Sequence, residues 1–217
     1  MQAACFNSRC VRCPRLVQFL SRIRRTYPEY HARPVPSFGD PRAHLLIVGL
    51  APGLHGANAT GRPFTGDHAG LLLYRSLHKF GFANLPESIS AHDRLKLYDC
   101  RITNAVKCVP PQNKPAAMEI ATCSRYLQAE LAGLPANAVI LALGRIAHDA
   151  VLKALDMKPR RFGFKHGAVH KLDAKRVLLD SYHCSRYNTQ TRRLTTAMFE
   201  AVVAQARRRL DAMRACQ

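Results

Sequence analysis

The chain alternates short apolar runs with longer amphipathic segments, and this alternation limits the folds that it can adopt. Short apolar or β-branched runs that end in Gly, Asn or Ser are typical of buried parallel strands. The four such runs are HLLIVGL (44–50), DCRITNAV (99–106), AVILALG (138–144) and RVLLDS (176–181). They predict four strands of a largely parallel sheet.

The segments between these runs carry apolar residues at helical spacing. Pro115 suits the first position of a helix, and Gly81 suits a helix end. We expect helices over residues 16–23, 67–81, 115–134, 145–155 and about 194–214. Strands that alternate with helices predict one three-layer α/β/α domain over residues 1–217, built on a four-stranded parallel sheet. The proline-rich segment 34–42 is interpreted as a connection into the first strand.

The charge balance points to a polyanionic partner. The chain has 33 Lys and Arg against 14 Asp and Glu, which gives a formal net charge of +19. The basic residues concentrate in segments 9–42, 158–176 and 207–209. A solvated face is the usual meaning of one such run, but three of them favour nucleic acid as the partner.

The chain shows no sign of a membrane or secreted protein. No run approaches the roughly 18 apolar residues that a membrane span needs. The first thirty residues also lack the apolar segment of a signal peptide. We therefore expect a cytoplasmic protein that has no membrane partner. We also expect it to be a monomer.

A glycine-rich loop, GLAPGLHGANATGRPFTGD (49–67), follows the first predicted strand. In open α/β sheets, ligands bind beyond the carboxyl ends of the strands, so this loop and those that follow Asn104 and Ser181 are expected to form the site. Gly49, Gly53 and Gly56 do not have the spacing of a dinucleotide-binding loop, and no G-K-[ST] follows for a phosphate loop. The loop therefore belongs to neither of these common classes.

The chain has eight cysteines, and in a cytosolic protein this number favours a metal or cluster site over disulfides. Cys10 and Cys13 form a C-x2-C pair, whereas Cys108 and Cys123 flank a proline-rich turn. Four thiolates suit either an iron-sulfur cluster or a tetrahedral zinc ion, and the spacing leaves both open. Any single cysteine is equally consistent with a buried structural thiol.

Three segments together resemble the uracil-DNA glycosylase superfamily in the form of its fifth family, often called UDGb. They are GLAPGLHGANATGRPFTGD, NAVKCVPPQNKPAAMEIATCSRYL and SYHCSRYNTQTRRLT, and the resemblance runs from Cys10 to about Thr195. It implies a four-stranded parallel sheet flanked by helices.

The resemblance also implies a [4Fe-4S] cluster, with the N-terminal segment 1–40 contributing two of its ligands. The implied ligands are Cys10, Cys13, Cys108 and Cys123. The remaining cysteines match no ligand position and are expected to be ordinary thiols: Cys5, Cys100, Cys184 and Cys216.

The activity implied by this resemblance is DNA repair by hydrolysis of the N-glycosidic bond of a deaminated base, which leaves an abasic site. The expected substrates are uracil and also hypoxanthine and xanthine in DNA. Such an enzyme extrudes the nucleotide from the helix at a cost of a few kcal/mol, which is least for a mispaired base. The basic surface would then bind phosphates without regard to sequence.

The resemblance assigns catalytic roles to Asp67 and His183. Asp67 is expected to activate water or stabilise the cationic sugar, because Ala51-Pro52-Gly53 stands where other branches of the superfamily carry a polar side chain. Its structural alternative is a helix N-cap, and the two roles are compatible. His183 is expected to donate a hydrogen bond to O2 of the leaving base.

Substrate-binding roles follow for four further residues. Phe64 is expected to stack on the flipped base, and the Asn104 amide to offer a donor and an acceptor to the uracil edge. Backbone N–H groups near Gly53 are expected at the same base oxygen, and Asn58 is the other polar side chain of interest in that loop. The structural alternatives are a core aromatic for Phe64 and a turn-forming residue for Asn104.

Tyr187, with Arg186 beside it, stands where relatives insert a wedge into the DNA helix. The structural alternative is a tyrosine on the surface of a basic loop. A second function class stays open for the whole chain, namely a non-catalytic iron-sulfur protein that binds DNA or senses redox state on the same fold. The missing polar side chain at residues 51–53 would favour that class if it meant lost activity.

Overall fold

The computed structural model describes residues 6–174 and 176–215, and this part of the chain forms seven α-helices and six strands. The helices are α1 Pro14–Thr26, α2 Ala57–Thr60, α3 His68–Lys79, α4 Ala117–Ala132, α5 Arg145–Ala154, α6 Arg186–Gln190 and α7 Thr196–Ala215. The strands are β1 Phe38–Gly39, β2 Leu45–Gly49, β3 Cys100–Asn104, β4 Ala138–Leu143, β5 Val169–Lys171 and β6 Arg176–Ser181.

The sheet contains the four predicted parallel strands and two more. Its order is β1-β3-β2-β4-β6-β5, in which the inner four strands are parallel and both outer strands pair antiparallel to their neighbours. The expected number of strands was therefore wrong. β1 has two residues and lies in the segment that was interpreted as a connection, and β5 has three. Strands this short carry no recognisable alternation of apolar residues.

Two apolar layers sandwich the sheet, which confirms the predicted three-layer α/β/α architecture. Leu45 and Ile47 of β2 pack on the side of α3 and α7, whereas Leu46 and Val48 pack on the side of α4 and α5. Successive side chains of a strand point to opposite faces, so a strand buried on both faces must be apolar throughout. This requirement is why the run that forms β2 is continuous rather than alternating.

The five long helices fall where they were predicted, whereas two short ones were not foreseen. The helix α2 lies within the glycine-rich loop and ends at Gly61, which adopts a left-handed conformation with φ of 80°. The helix α6 lies in the third family-like segment and begins after Ser185, whose side chain accepts a hydrogen bond from the Asn188 N–H. With four and five residues, both helices are too short to show helical periodicity.

The strand register brings the functional loops to one edge of the sheet. Gly49 pairs with Asn104 at the ends of β2 and β3, and Leu143 pairs with Ser181 at the ends of β4 and β6. The loops that follow these residues therefore open on the same side. None of the helices described by the structure has the length and apolarity to cross a membrane.

Candidate active site

A cavity of about 380 Å³ opens at the carboxyl edge of the sheet. The glycine-rich loop, the end of β3 and the loop after β6 all contribute to its wall. Six residues singled out from the sequence line it: Gly53, Phe64, Asp67, Asn104, His183 and Arg186. The fold thus brings together residues from three segments that are far apart in the chain.

Asp67 both caps a helix and faces the cavity. Its Oδ1 accepts a hydrogen bond of 2.9 Å from the Gly70 N–H at the start of α3. Its Oδ2 lies on the side of Gly53 and Gly56, since a Cβ placed on Gly56 would come within 2.5 Å of it. Burial raises the pKa of Asp67, and hydrogen bonds from backbone N–H groups partly oppose that rise. The N-cap position is compatible with a second role for the other carboxylate oxygen.

Phe64 is buried and adopts a left-handed backbone conformation, with φ of 54°. Two neighbours fit this geometry: Gly70, where a Cβ would collide with the Phe64 carbonyl, and Tyr74, whose hydroxyl donates to the Pro63 carbonyl at 2.8 Å. Such a conformation costs on the order of 1–3 kcal/mol and persists only where the surroundings impose it. The ring is therefore held in place as a wall of the cavity.

Asn104 ends β3, and its side chain is buried beside the end of β2. A Cβ on Gly49 would collide both with Asn104 Oδ1 and with the ring of Phe64. Glycine at position 49 therefore allows the amide and the aromatic ring to approach the same strand end. This close approach explains why the first residue of the loop is a glycine.

His183 follows β6, and its ring faces that of Phe64, with centroids 5.9 Å apart and planes at 30°. Burial lowers the pKa of His183 to about 4. The imidazole is therefore neutral at pH 7 and offers one N–H donor and one acceptor nitrogen. Its backbone carbonyl accepts a hydrogen bond of 2.8 Å from the Asn188 side chain, which ties the loop to α6.

Two residues singled out from the sequence do not line the cavity. Asn58 is fully buried in α2, where its amide donates to the Leu54 carbonyl at 3.3 Å, and its Oδ1 has no hydrogen-bond partner among the described residues. Tyr187 lies on α6 next to Arg186 and is 69% exposed. The tyrosine is thus on the surface beside the cavity, and the asparagine is inside the loop.

The cavity wall also contains residues that sequence reasoning missed, including His68, Asn113 and Ser185. His68 Nε2 lies 2.9 Å from the Thr189 hydroxyl, so the start of α3 contacts α6. The one available signal for His68 was its place next to Asp67. Asn113 lies in the proline-rich turn, and no pattern in the sequence indicates that this turn reaches the cavity.

A separate, small cavity between α1, the loop after β3 and α4 is lined by all four cysteines of the predicted cluster site, Cys10, Cys13, Cys108 and Cys123. The Lys107 backbone N–H donates to Cys123 Sγ at 3.3 Å. Burial, together with the neighbouring thiols, raises the pKa of Cys108 to about 12 and that of Cys123 to about 11. No three of the four sulfur atoms lie within 4.8 Å of one another.

The other cysteines lie elsewhere. Cys100 and Cys184 are buried in the apolar layer on the side of α3 and α7. The six cysteines that the structure describes are free thiols. Cys5 and Cys216, also expected to be ordinary thiols, lie outside the described residues.

Comparison with known proteins adds an independent finding. A family model described as the uracil DNA glycosylase superfamily matches residues 36–207. The chain is 48% identical to the Type-5 uracil-DNA glycosylase of Thermus thermophilus, over 92% of this chain and 93% of that protein. Proteins with the same name from Mycobacterium leprae and Pyrobaculum aerophilum are 44% and 43% identical, over 92% and 91% of this chain and 90% and 87% of theirs.

Proposed function

Because the chain belongs to the uracil DNA glycosylase superfamily, and within it to the Type-5 proteins, we propose that its cavity holds a deaminated base flipped out of DNA. The protein is a DNA-repair hydrolase that excises uracil by cleaving the N-glycosidic bond. The observation that carries the proposed site is the convergence of Phe64, Asp67, Asn104 and His183 on one cavity of about 380 Å³. This volume lies in the range of small-molecule sites.

The base side of the reaction is assigned to three residues. Phe64 presents a fixed ring on which the base can stack, and Asn104 presents an amide to its edge. Cleavage places negative charge on the departing base, so a hydrogen-bond donor already aimed at it lowers the barrier. We assign this donor to the neutral His183 ring, helped by backbone N–H groups near Gly53.

The sugar side of the reaction is assigned to Asp67. Its Oδ1 is committed to the Gly70 N–H, which leaves Oδ2 for a water molecule or for the developing cation. A carboxylate whose pKa is raised by burial is a better base than one in water, provided that it is ionised. This division between the two oxygens supports both expected roles of Asp67, as N-cap and as catalytic group.

The small residues of the cavity wall support a substrate range wider than uracil alone. Ala51 and Gly53 line the cavity where a larger polar side chain would narrow it. We propose that the added room accepts the purines hypoxanthine and xanthine as well as uracil. Tyr187 and Arg186 lie on the surface beside the cavity. We assign to them the role of filling the gap that the flipped nucleotide leaves in the DNA helix.

We propose that the four cysteines hold a [4Fe-4S] cluster rather than a single zinc ion. A zinc ion with Zn–S bonds of about 2.3 Å would hold its sulfurs about 3.8 Å apart, closer than any three of them lie here. The backbone N–H on Cys123 Sγ is a hydrogen bond of the kind that tunes cluster sulfurs. When bound, the cluster would link residues 10–13 of the N-terminal segment to Cys108 and to Cys123 in α4.

Incubation of excess protein with duplexes that carry one uracil, hypoxanthine or xanthine, followed by alkali, tests the activity. Alkali breaks the strand at each abasic site, and an undamaged duplex is the control. Strand breaks with uracil alone would remove the wider substrate range but keep the enzyme. Breaks with none of the substrates would favour the non-catalytic iron-sulfur protein.

That the protein is cytoplasmic and works as a monomer stays a prediction from the sequence.

A further inference from the structure

Two histidines and an aspartate converge in the interior where α5, β5 and β6 meet, away from both cavities described above. His148 Nδ1 lies 2.8 Å from Asp180 Oδ1, and His170 Nε2 lies 2.9 Å from Asp180 Oδ2. The potential ligand atoms all lie within 4.8 Å of one another. The side chains of His148 and Asp180 are fully buried, and that of His170 is 14% exposed.

The hydrogen bonds around His148 require a proton or a metal ion between its Nδ1 and Asp180 Oδ1. His148 Nε2 lies 2.9 Å from the carbonyl oxygen of Phe162, which only accepts, so Nε2 carries the hydrogen. In a neutral ring, Nδ1 then has a lone pair, and it faces a carboxylate that also only accepts. Two acceptors cannot lie 2.8 Å apart in a buried site without a cation between them, either a proton or a metal ion.

We propose that His148, His170 and Asp180 form a zinc-binding site. Together they offer two imidazole nitrogens and two carboxylate oxygens, which is the number and type of donors that Zn²⁺ takes. With bonds of about 2.0 Å, donors from different residues would lie about 3.3 Å apart, so the observed contacts need to widen by about half an ångström. In the metal-free protein a proton occupies the place between His148 and Asp180. Zinc displaces that proton to solvent, and the hydrogen that His170 Nε2 donates to Asp180 Oδ2 moves to Nδ1 of the same ring, so that Nε2 can bind the ion.

The surroundings match those of histidines that bind metals. Such a histidine commonly donates its second ring N–H to a backbone carbonyl, as His148 does to Phe162. Aromatic rings of Phe162 and Phe164 pack edge-on against the two imidazoles. His170 lies in the outermost strand and is partly exposed, which gives the ion a path of entry from the edge of the sheet.

The expected role of the ion is structural. It would link α5, β5 and β6 at Asp180, whose backbone already exchanges hydrogen bonds with Ala168 and Gly167. β6 ends one residue after Asp180, and His183 follows two residues beyond that end. A zinc ion here would therefore hold in place the strand that leads into the cavity.

The test uses the full chain with its cysteine site as purified, after dialysis against a chelator. Zinc is then added, and bound metal and the melting temperature are measured. We expect one zinc per chain and, with free zinc about 100-fold above Kd, a rise in melting temperature of about 5–10 °C. His170→Gln and Asp180→Asn should abolish the rise. His166→Gln, which changes a nearby histidine outside the group, should keep it.

Cobalt distinguishes this site from the cysteines, because Co²⁺ bound to nitrogen and oxygen shows d–d absorption without sulfur-to-metal charge transfer. Wild-type protein that takes up no zinc and shows no change in melting temperature would overturn the proposal, whether or not the variants fold. The same number of bound zinc ions in wild type and in both variants, or a cobalt spectrum that is unchanged in both variants, would also overturn it. The group would then be an ion pair bridged by a proton.

Discussion

Gly56 leaves the space that Asp67 occupies, since a Cβ on this glycine would lie 2.5 Å from Oδ2 and 2.7 Å from Cβ of the aspartate. Asp67 is fixed at the start of α3. A methyl group at position 56 must therefore displace the Asp67 carboxylate. Glycine here is a requirement of close approach to a functional side chain rather than of loop flexibility.

Gly56→Ala should therefore slow uracil excision while DNA binding is retained. A displacement of about 1 Å in a catalytic group costs on the order of 100-fold in rate. Single-turnover kinetics and a binding assay with uracil-containing duplex measure the two effects. Gly163→Ala is the matched control, because a Cβ at Gly163 has nothing within 4 Å. Equal rates for the two variants would remove the proposed link between Gly56 and Asp67.

His183 should make the protein less stable in acid. Because its pKa is about 4 in the folded protein and about 6.5 in an unfolded chain, the unfolded state binds more protons between these values. Its contribution to stability is therefore lost as the pH falls from 6.5 towards 4. On going from pH 7 to pH 4.5, wild type should lose about 2 kcal/mol more than His183→Gln. Urea unfolding at both pH values checks this, and equal losses would contradict a neutral imidazole in the folded protein.

Tyr187→Ala should impair excision from duplex DNA more than from a single strand. Only the duplex leaves a gap that a wedge can fill, and opening it costs a few kcal/mol. We expect a loss of about 10-fold for uracil paired with adenine and little change for single-stranded substrate. Tyr98→Ala, at a tyrosine that is 52% exposed and is not on α6, serves as the control. An equal loss on both substrates would show that Tyr187 is not a wedge.

Cys108→Ser should remove bound iron and lower the melting temperature, because it takes one ligand from the proposed cluster. Iron and sulfide analysis of the purified protein measures the loss. Cys100→Ala should keep its iron, since Cys100 lies in the apolar layer of the sheet. A wild-type protein that is colourless and contains zinc instead of iron would contradict the assignment of the four cysteines.

The order of apolar runs was enough to predict the four inner strands, because a strand buried on both faces must be apolar along its whole length. Asp67, Asn104 and His183, which line the cavity, could be singled out because each lies at the end of a predicted strand or in a loop that follows one, in a segment with a family-like pattern. Contacts between segments that are distant in the chain correspond to no such pattern in the sequence. His68 and Thr189 are 121 residues apart, and His148 and Asp180 are 32 apart. No local spacing relates either pair.

The proposed mechanism depends on Asp67 as the catalytic carboxylate, and the Asp67→Asn variant removes that carboxylate while it changes little else. Asparagine keeps an oxygen that can cap α3 but removes the negative charge, whereas Asp67→Ala would also lose about 1 kcal/mol of capping stability. With protein in excess over a uracil-containing duplex, we expect Asp67→Asn to excise uracil at least about 100-fold more slowly than wild type, with DNA binding and melting temperature nearly unchanged. Excision within about threefold of wild type would show that Asp67 is a helix cap alone, and would contradict the proposed mechanism.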